Sequence, residues 1–201
     1  WDSIHTAYKA KVNENTDAVA FFDLMGTMLN ELKDGHVNLY SNFDRSRYWK
    51  WYTDYPSNFN LDLIRSAKYL GDNYKMANGL SYQKIDNGRV GYIYLGSFSY
   101  GFNDANIVAA MTYFKDCKGL IIDVRDNSGG SLDYSKQLAS CFFKEEKVTG
   151  YIKHKIGNGH TDFSKALEVK TPAHKSIHYY RPVVVLTNRM SYSATNDFVN
   201  R

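Results

Sequence analysis

The sequence predicts a layered α/β domain built from βαβ units, preceded by a helical segment at the N-terminus. Two apolar runs, 119–124 and 183–186, are rich in β-branched residues and are typical of buried strands. An Asn-Gly pair, Asn87-Gly88, separates two other apolar runs and is typical of a tight hairpin turn. Because helical patterns lie between the strands, we expect βαβ crossovers and strands that run parallel.

The N-terminal part is predicted to contain a helix that starts after Asp17, a residue type that caps helices. Apolar side chains recur there at steps of three and four residues, which predicts one buried face. These positions are Phe21, Met25, Met28 and Leu32, and Phe22 and Leu29 widen the stripe. Gly35 ends the pattern, and a short strand over 36–40 places His36 at the corner between helix and strand.

The chain is expected to have two parts. Residues 1–80 form the helical segment and an aromatic-rich insertion, and residues 81–201 form the α/β core. The expected core elements are a hairpin of 82–85 and 90–98, a helix from Asn103 or Asp104, strand 119–124, a helix around Leu138 and strand 148–156. The helix that begins near Asn196 meets no stop signal, so we expect the core to continue beyond residue 201.

Composition excludes several classes of function. The 25 basic and 21 acidic residues are well mixed, so neither nucleic acid nor an anionic membrane is the expected partner. No apolar segment is long enough to span a membrane. Cys117 and Cys141 are too few and too widely spaced for a disulfide scaffold or a zinc site, and we interpret them as core cysteines.

The turn after strand 183–186 carries the first candidate for chemistry. Ser193 lies where this turn enters a helix, a position at which backbone N–H groups lack helical partners. Its hydroxyl could cap the helix, or it could attack a carbonyl beside ready-made oxyanion donors. The turn by itself favours the cap.

The loop after strand 119–124 is the second candidate. Gly129 and Gly130 follow a polar stretch there, and glycine allows close approach of another backbone. The spacing matches no phosphate-binding motif, and a simple turn is the alternative. If the two buried strands are neighbours in a parallel sheet, both loops leave the same edge, where ligands bind.

The third candidate is His36, in the segment LKDGHV at 32–37. Histidine titrates near neutral pH and is the natural general base for a serine nucleophile. A histidine that binds the last carbonyls of a helix is the alternative.

These segments together resemble the S41 family of serine peptidases, the C-terminal processing and tricorn-core-like proteases. The resemblance rests on GLIIDVRDNSGG at 119–130, VVVLTNRMSYSATNDF at 183–198, LKDGHV at 32–37 and the strand GRVGYIYLGSF at 88–98. It implies a ClpP/crotonase-like fold and an exported, periplasmic or cell-envelope location. It also implies a protein or peptide substrate.

Carried over to this sequence, the resemblance places Ser193 at the nucleophile position. Ala194, with Gly129 or Gly130, would supply the oxyanion hole, and His36 would be the base, as in the tricorn-like branch. In the other branch the base is a lysine downstream of the nucleophile, which here would lie beyond residue 201. Asn196 stands where the family often has glutamate, and no PDZ domain is evident after the His36 motif.

The hypothesis from the sequence is therefore a serine endopeptidase that acts through an acyl-enzyme, with no metal and no organic cofactor implied. Two alternatives stay open at this point. One is a protein on the same fold that binds peptides or apolar ligands without catalysis. The other is a crotonase-like acyl-CoA enzyme, in which amides of the glycine loop polarise a thioester carbonyl.

Overall fold

A computed structural model describes residues 1–201, and the chain divides into two compact units, 1–57 and 58–201. The division lies at residue 57 rather than at the expected residue 80, and residues 58–80 belong with the larger unit. None of the helices combines the length and the apolar character that crossing a bilayer requires.

The N-terminal unit consists of short helices and a two-stranded sheet. Its elements are α1 (Asp2–Lys9), α2 (Ala18–Asn30), β1 (Asn38–Tyr40), β2 (Arg45–Arg47) and α3 (Lys50–Thr53). Strands β1 and β2 pair antiparallel. Helix α1 and strand β2 have no counterpart in the sequence prediction.

Helix α2 begins where predicted, and it buries part of the predicted stripe. The Asp17 carboxylate accepts a hydrogen bond of 2.8 Å from the Ala20 amide, which confirms the cap. Phe21 and Leu32, both predicted to be buried, are 46% and 48% exposed. The buried residues are Phe22, Gly26 and Met28. Phe22 and Met28 belong to the predicted stripe, whereas Leu32 lies outside the helix, which ends at Asn30.

The larger unit is built on a five-stranded mixed sheet with helices on its faces. Its elements are α4 (Leu61–Arg65), β3 (Lys75–Ala77), β4 (Leu80–Ile85), β5 (Val90–Leu95), α5 (Asp104–Tyr113), β6 (Gly119–Asp123), α6 (Leu132–Ser140), β7 (Lys147–Ile152), β8 (Leu167–Thr171), β9 (Val183–Leu186) and α7 (Ala194–Asn200). The order across the sheet is β3-β4-β5-β6-β9. Strands β7 and β8 form a separate antiparallel pair. The mixed α/β architecture confirms the predicted fold class.

The sheet is antiparallel at one side and parallel at the other. Strands β3, β4 and β5 pair antiparallel, whereas β5, β6 and β9 run parallel, with Ile122 opposite Val185. This confirms that the two strands predicted from the sequence are parallel neighbours. The prediction that both are buried is wrong for β9, because β9 is the edge strand of the sheet and Val184 is 54% exposed. Their following loops consequently leave the same edge of the sheet, the edge at which ligands bind in open α/β sheets.

Local signals in the sequence account for the turns and caps of this unit. Asp86, Asn87 and Gly88 all have positive φ, as the predicted hairpin turn requires. Asn103 caps α5 through a capping box with Asn106, which confirms the predicted start of that helix. The predicted strand 148–156 is shorter, because β7 ends at Ile152.

Both faces of the sheet are covered. Successive strand side chains point to opposite faces, so Ile93 joins the large core that includes α5 and α6, whereas Tyr92 joins a second cluster. In that cluster Tyr92 packs with Ile64 and Leu70, which explains why residues 58–80 belong to this unit.

Cys117 and Cys141 are buried and free, in agreement with the interpretation as core cysteines. Both lie in the large core. Burial raises the pKa of the Cys141 thiol to about 12, so it stays protonated and unreactive near neutral pH.

Candidate active site

Ser193 occupies an unusual backbone conformation between β9 and α7. Its φ of 60° and ψ of −127° lie in a region that residues with a side chain rarely adopt. Ser193 is exposed, and its side chain makes no capping hydrogen bond to α7. The cap predicted as one alternative is therefore absent, and the turn after β9 instead leaves Ser193 exposed.

Hydrogen bonds tie this turn to the loop after β6. The Ser191 hydroxyl donates to the Val124 carbonyl at 2.7 Å and accepts from the Asn188 amide at 3.0 Å. The Asn188 side chain donates to Asp126 Oδ1 at 2.7 Å, and its oxygen accepts from the Asp126 amide at 3.0 Å. These bonds join two segments more than 60 residues apart in sequence, and they fix the serine turn to the glycine loop.

Gly129 packs directly against Ser193. Its φ is +98°, and a Cβ atom at this position would lie 2.7 Å from Ser193 Cβ and 2.9 Å from the Ala194 nitrogen. Real Cβ atoms do not approach other heavy atoms so closely. Position 129 therefore requires glycine both for its conformation and for the contact with the serine turn.

The backbone amides around Ser193 differ in whether they donate a hydrogen bond to the protein. The Gly129 amide donates to Asn127 Oδ1 at 3.0 Å, and the buried Asn127 side chain in turn donates to the Leu95 carbonyl at 2.9 Å. The amides of Gly130 and Ala194 donate to no protein group. The Ala194 amide lies in the first turn of α7, where helical partners are missing. Two free donors thus flank the serine turn.

A buried ion pair anchors the start of the glycine loop. Asp123 is fully buried at the end of β6, and Arg125 binds its carboxylate through Nε at 2.9 Å and a terminal nitrogen at 2.6 Å. The Tyr92 hydroxyl donates to the same carboxylate at 2.6 Å. Burial, together with this hydrogen bond, raises the pKa of Tyr92, so the phenol remains a donor.

His36 lies in the N-terminal unit, in the turn that leads to β1. Helix α2 ends at Asn30, so His36 is not at the end of that helix. Its amide donates to Asp34 Oδ1 at 2.8 Å, and its ring nitrogen Nδ1 lies 3.3 Å from the same oxygen. Both side chains are about half exposed. Reasoning from the sequence missed Asp34, although a carboxylate two residues before a histidine is a usable signal.

Helix α7 offers no free carboxylate, because its one acidic residue, Asp197, is already hydrogen-bonded. Asn196 stands where the family that the sequence resembles often has glutamate, and its side chain is exposed. Asp197 accepts hydrogen bonds from Arg201 at 2.8 and 3.0 Å and one from the Ser135 hydroxyl. Asp197 is therefore engaged in packing α7 against α6.

The structure thus brings Ser193, Ala194, Gly129 and Gly130 together at one edge of the larger unit, and it places His36 with Asp34 in the N-terminal unit. Nowhere do three or more His, Cys, Asp or Glu side chains converge as metal ligands would.

Comparison with solved structures finds a similar protein over the whole chain. A candidate peptidase from Parabacteroides merdae is 48% identical, with a TM-score of 0.93, and the match covers all of this chain and 63% of that protein. This chain therefore spans less than two thirds of its relative.

Two other proteins are more distant. Mature CPAF is 15% identical, with a TM-score of 0.48 over 60% of this chain and 37% of its own. The photosystem II D1 C-terminal processing protease is 22% identical, with a TM-score of 0.37 over 55% of this chain and 26% of its own. Neither likeness supports an inference about chemistry.

Among curated proteins no sequence matches this one significantly. The profile of Peptidase family S41, however, matches residues 89–201, which is more than half of the chain and contains both the glycine loop and the serine turn. The chain belongs to peptidase family S41.

Proposed function

We propose that this chain carries the catalytic site of a serine endopeptidase that cleaves protein or peptide substrates, with Ser193 as the nucleophile. The observation that carries the proposal is the backbone of Ser193, whose positive φ presents an exposed hydroxyl that caps nothing. Such strain persists where the surrounding structure holds it, and it is concentrated at functional sites. The bonds from Asn188 and Ser191 to the loop after β6 hold it here.

The oxyanion hole in this proposal consists of the Ala194 and Gly130 amides. Each is a backbone donor without a protein partner beside the serine turn. Gly129 is assigned a different role, since its amide already donates to Asn127 and its missing side chain makes room for Ser193. One oxyanion donor typically contributes about 3 kcal/mol to lowering the barrier.

His36 is the proposed general base, and Asp34 positions it. A proton on Nδ1 facing the Asp34 carboxylate leaves Nε2 as the acceptor, which is the tautomer a serine base requires. The Asp34 carboxylate would also stabilise the imidazolium that forms when His36 accepts a proton. Asp34 is exposed enough for water to screen this interaction, so its contribution is expected to be smaller than that of His36.

The reaction follows from these roles. Ser193 Oγ attacks the peptide carbonyl while its proton passes to His36, and the negative oxygen of the tetrahedral intermediate binds the two amides. The C–N bond then breaks, the amine leaves with the proton from His36, and an acyl-enzyme remains. Water then attacks the ester while His36 accepts its proton, and a second tetrahedral intermediate forms. Its bond to Ser193 Oγ breaks, Oγ takes the proton back from His36, and the carboxylic acid product leaves.

A fluorophosphonate probe tests the nucleophile. We expect the purified full-length protein to form a phosphonyl adduct that mass spectrometry locates on Ser193, and we expect Ser193→Ala to lose both the adduct and peptide cleavage. Ser191→Ala is the matched control: it removes a hydroxyl two residues away and should keep the label, although the turn loses two hydrogen bonds.

Cleavage by Ser193→Ala at the parent rate would refute the proposal. Saturable peptide binding by the parent protein, without any adduct or cleavage, would instead identify a binding protein on the same fold.

A further inference from the structure

A cavity of about 590 Å³ lies in the larger unit next to the edge that carries the serine turn. Helix α4 forms one wall, strands β3 and β4 with the turn between them form the second, and the end of β5 with the chain that follows it forms the third. The residues that matter here are Arg65 on α4, Ser81 on β4, and Tyr94, Gly96 and Ser99 on the third wall.

The only charge in the lining of this cavity is positive. Arg65 is the one charged residue that lines it, and no aspartate or glutamate does. Arg65 forms no ion pair in the protein. An arginine facing an open cavity without a carboxylate retains its full capacity to bind one, and its planar fork suits a bidentate contact.

Tyr94, on β5, adds a second polar group to the lining of the cavity. Its hydroxyl lies 2.9 Å from the position that a Cβ of Gly96 would take, so glycine at 96 leaves room for this hydroxyl. Burial, with Asp123 and Asp126, raises the pKa of Tyr94, and the nearby Arg65 opposes the rise. The phenol is therefore a protonated donor close to the guanidinium. Asp123 and Asp126 are themselves bound elsewhere, by Arg125 and Asn188.

The wall after β5 is also bonded to the glycine loop. The Phe98 amide donates to the Gly129 carbonyl at 2.9 Å, the Ser97 hydroxyl donates to the same carbonyl at 3.2 Å, and the Ser131 amide donates to the Phe98 carbonyl at 3.1 Å. Hydrogen-bonded chains lie about 4.8 Å apart, and an extended peptide advances about 3.3 Å per residue. A peptide at Ser193 would reach the cavity within about two or three residues of its cleaved bond.

We propose that this cavity is a specificity subsite that binds a carboxylate of the peptide substrate through Arg65, with Tyr94 as a second donor. The inference rests on the proposed peptidase function and adds to it a class of substrate. A carboxylate can come from an Asp or Glu side chain or from the free C-terminus of the peptide, and both sources present the same chemistry to Arg65.

Paired peptides distinguish the two sources. In a peptide that the full-length protein cleaves, glutamate is placed in turn at each of the three positions on either side of the cleaved bond, and every peptide is matched by its glutamine counterpart. A second pair differs only in a free or an amidated C-terminus near the bond. We expect kcat/KM to be about tenfold to hundredfold higher for the acid than for its amide in one of these pairs.

Arg65 variants then test the residue. In Arg65→Ala we expect kcat/KM for the acidic peptide to fall to the value of its amide partner, and in Arg65→Glu we expect a lysine peptide to be preferred. Lys68→Ala is the matched control, because it removes one positive charge three residues away and does not line this cavity. Lys68→Ala should keep the preference for the acid.

Equal rates for acid and amide in every pair would overturn the proposal. So would a preference that Arg65→Ala keeps, or one that Lys68→Ala loses to the same extent.

A binding experiment separates this inference from the proposed chemistry. Fluorescence anisotropy of the same peptide pairs is measured on Ser193→Ala, which needs no catalysis, and again on Ser193→Ala combined with Arg65→Ala. Tighter binding of the acid that disappears in the double variant supports the subsite, whether or not Ser193 is the nucleophile. Equal binding of acid and amide contradicts the subsite while leaving the peptidase proposal intact.

Discussion

The surroundings of Ser193 and those of His36 are built in different ways. Ser193 follows a strand of the central sheet, and bonds between segments more than 60 residues apart hold its turn. His36 lies on an exposed turn, and its hydrogen bonds to Asp34 and Asn38 each span two residues. Changes beside the serine should therefore reduce stability and activity together, whereas changes in the histidine turn should reduce activity alone.

Gly129→Ala is expected to have the largest combined effect. The added Cβ would collide with Ser193 and with the Ala194 nitrogen, and it would be strained at a φ of +98°. We expect kcat/KM to fall more than about 100-fold and the free energy of unfolding to fall by about 2–4 kcal/mol. Peptide kinetics and urea denaturation measure the two effects.

Gly88→Ala is the matched control for that variant. Gly88 has a similar φ of +82°, but a Cβ there would meet nothing within 4 Å. It should cost about 1–2 kcal/mol of stability from backbone strain and leave kcat/KM unchanged. If the two glycine variants behave alike, contact with the serine turn is not what matters at position 129.

His36→Ala should reduce activity without reducing stability. Loss of a general base typically costs about 10²–10⁴ in rate, while substitution of an exposed side chain changes the free energy of unfolding by about 0.5 kcal/mol or less. His178→Ala, another exposed histidine, serves as the control. Retained activity in His36→Ala would show that another group, such as a lysine beyond residue 201, is the base.

Asn188→Ala tests the serine turn again, through the hydrogen bonds of the Asn188 side chain. The substitution removes two bonds to Asp126 and one from the Met190 amide at 3.1 Å. We expect the free energy of unfolding to fall by about 1–3 kcal/mol, and kcat/KM to fall with it because the turn is no longer fixed. A stability loss with unchanged kinetics would mean that these bonds do not position Ser193.

Asp34→Asn is the corresponding change in the histidine turn. Asparagine keeps the size of the side chain but removes the charge that would stabilise protonated His36. We expect kcat/KM to fall about fivefold to tenfold and the free energy of unfolding to change by less than about 0.5 kcal/mol. An activity equal to that of the parent would remove Asp34 from the mechanism.

The last prediction lies outside both regions and concerns the core of the larger unit at alkaline pH. The pKa of Cys141 is about 12 in the folded protein, above its ordinary value of 9.0, so above pH 9 the unfolded chain loses a proton that the folded protein keeps. The contribution to stability is complete below pH 9 and is lost as pH rises toward 12.

Urea denaturation between about pH 8 and 11 measures this effect, and Cys141→Ala is the comparison. The parent should lose up to about 1 kcal/mol per pH unit more than Cys141→Ala over this range. Equal slopes would contradict the assignment, because the buried tyrosines, whose pKa values burial also raises, are present in both proteins.

Elements with strong local signals were predictable from the sequence. The cap at Asn103 and the turn at Asn87-Gly88 depend on the conformations of a few neighbouring residues, and both predictions are confirmed. Helix α1 and strand β8 were not predicted. Short helices and strands are stabilised mainly by packing against other elements, and their own sequences carry little of that information.

Partners that are distant in sequence account for the remaining differences. The sequence left Gly129 and Gly130 equivalent as oxyanion donors, and the bond from the Gly129 amide to Asn127 distinguishes them. Arg65 had no distinguishing signal in its own segment. Arg65 is a candidate binding residue only because it lines a cavity whose other walls come from residues 76–101.

The sequence by itself determined the family and the residue types of the proposed site: a serine at a strand-to-helix turn, a glycine pair after a buried strand, and a histidine in LKDGHV. The tertiary structure decided the positive φ of Ser193, the contact between Gly129 and that serine, and the position of the unpaired Arg65 charge in a cavity. The physical reason is that local sequence sets turns and caps, whereas strain, close packing and an unpaired charge depend on which distant segments meet.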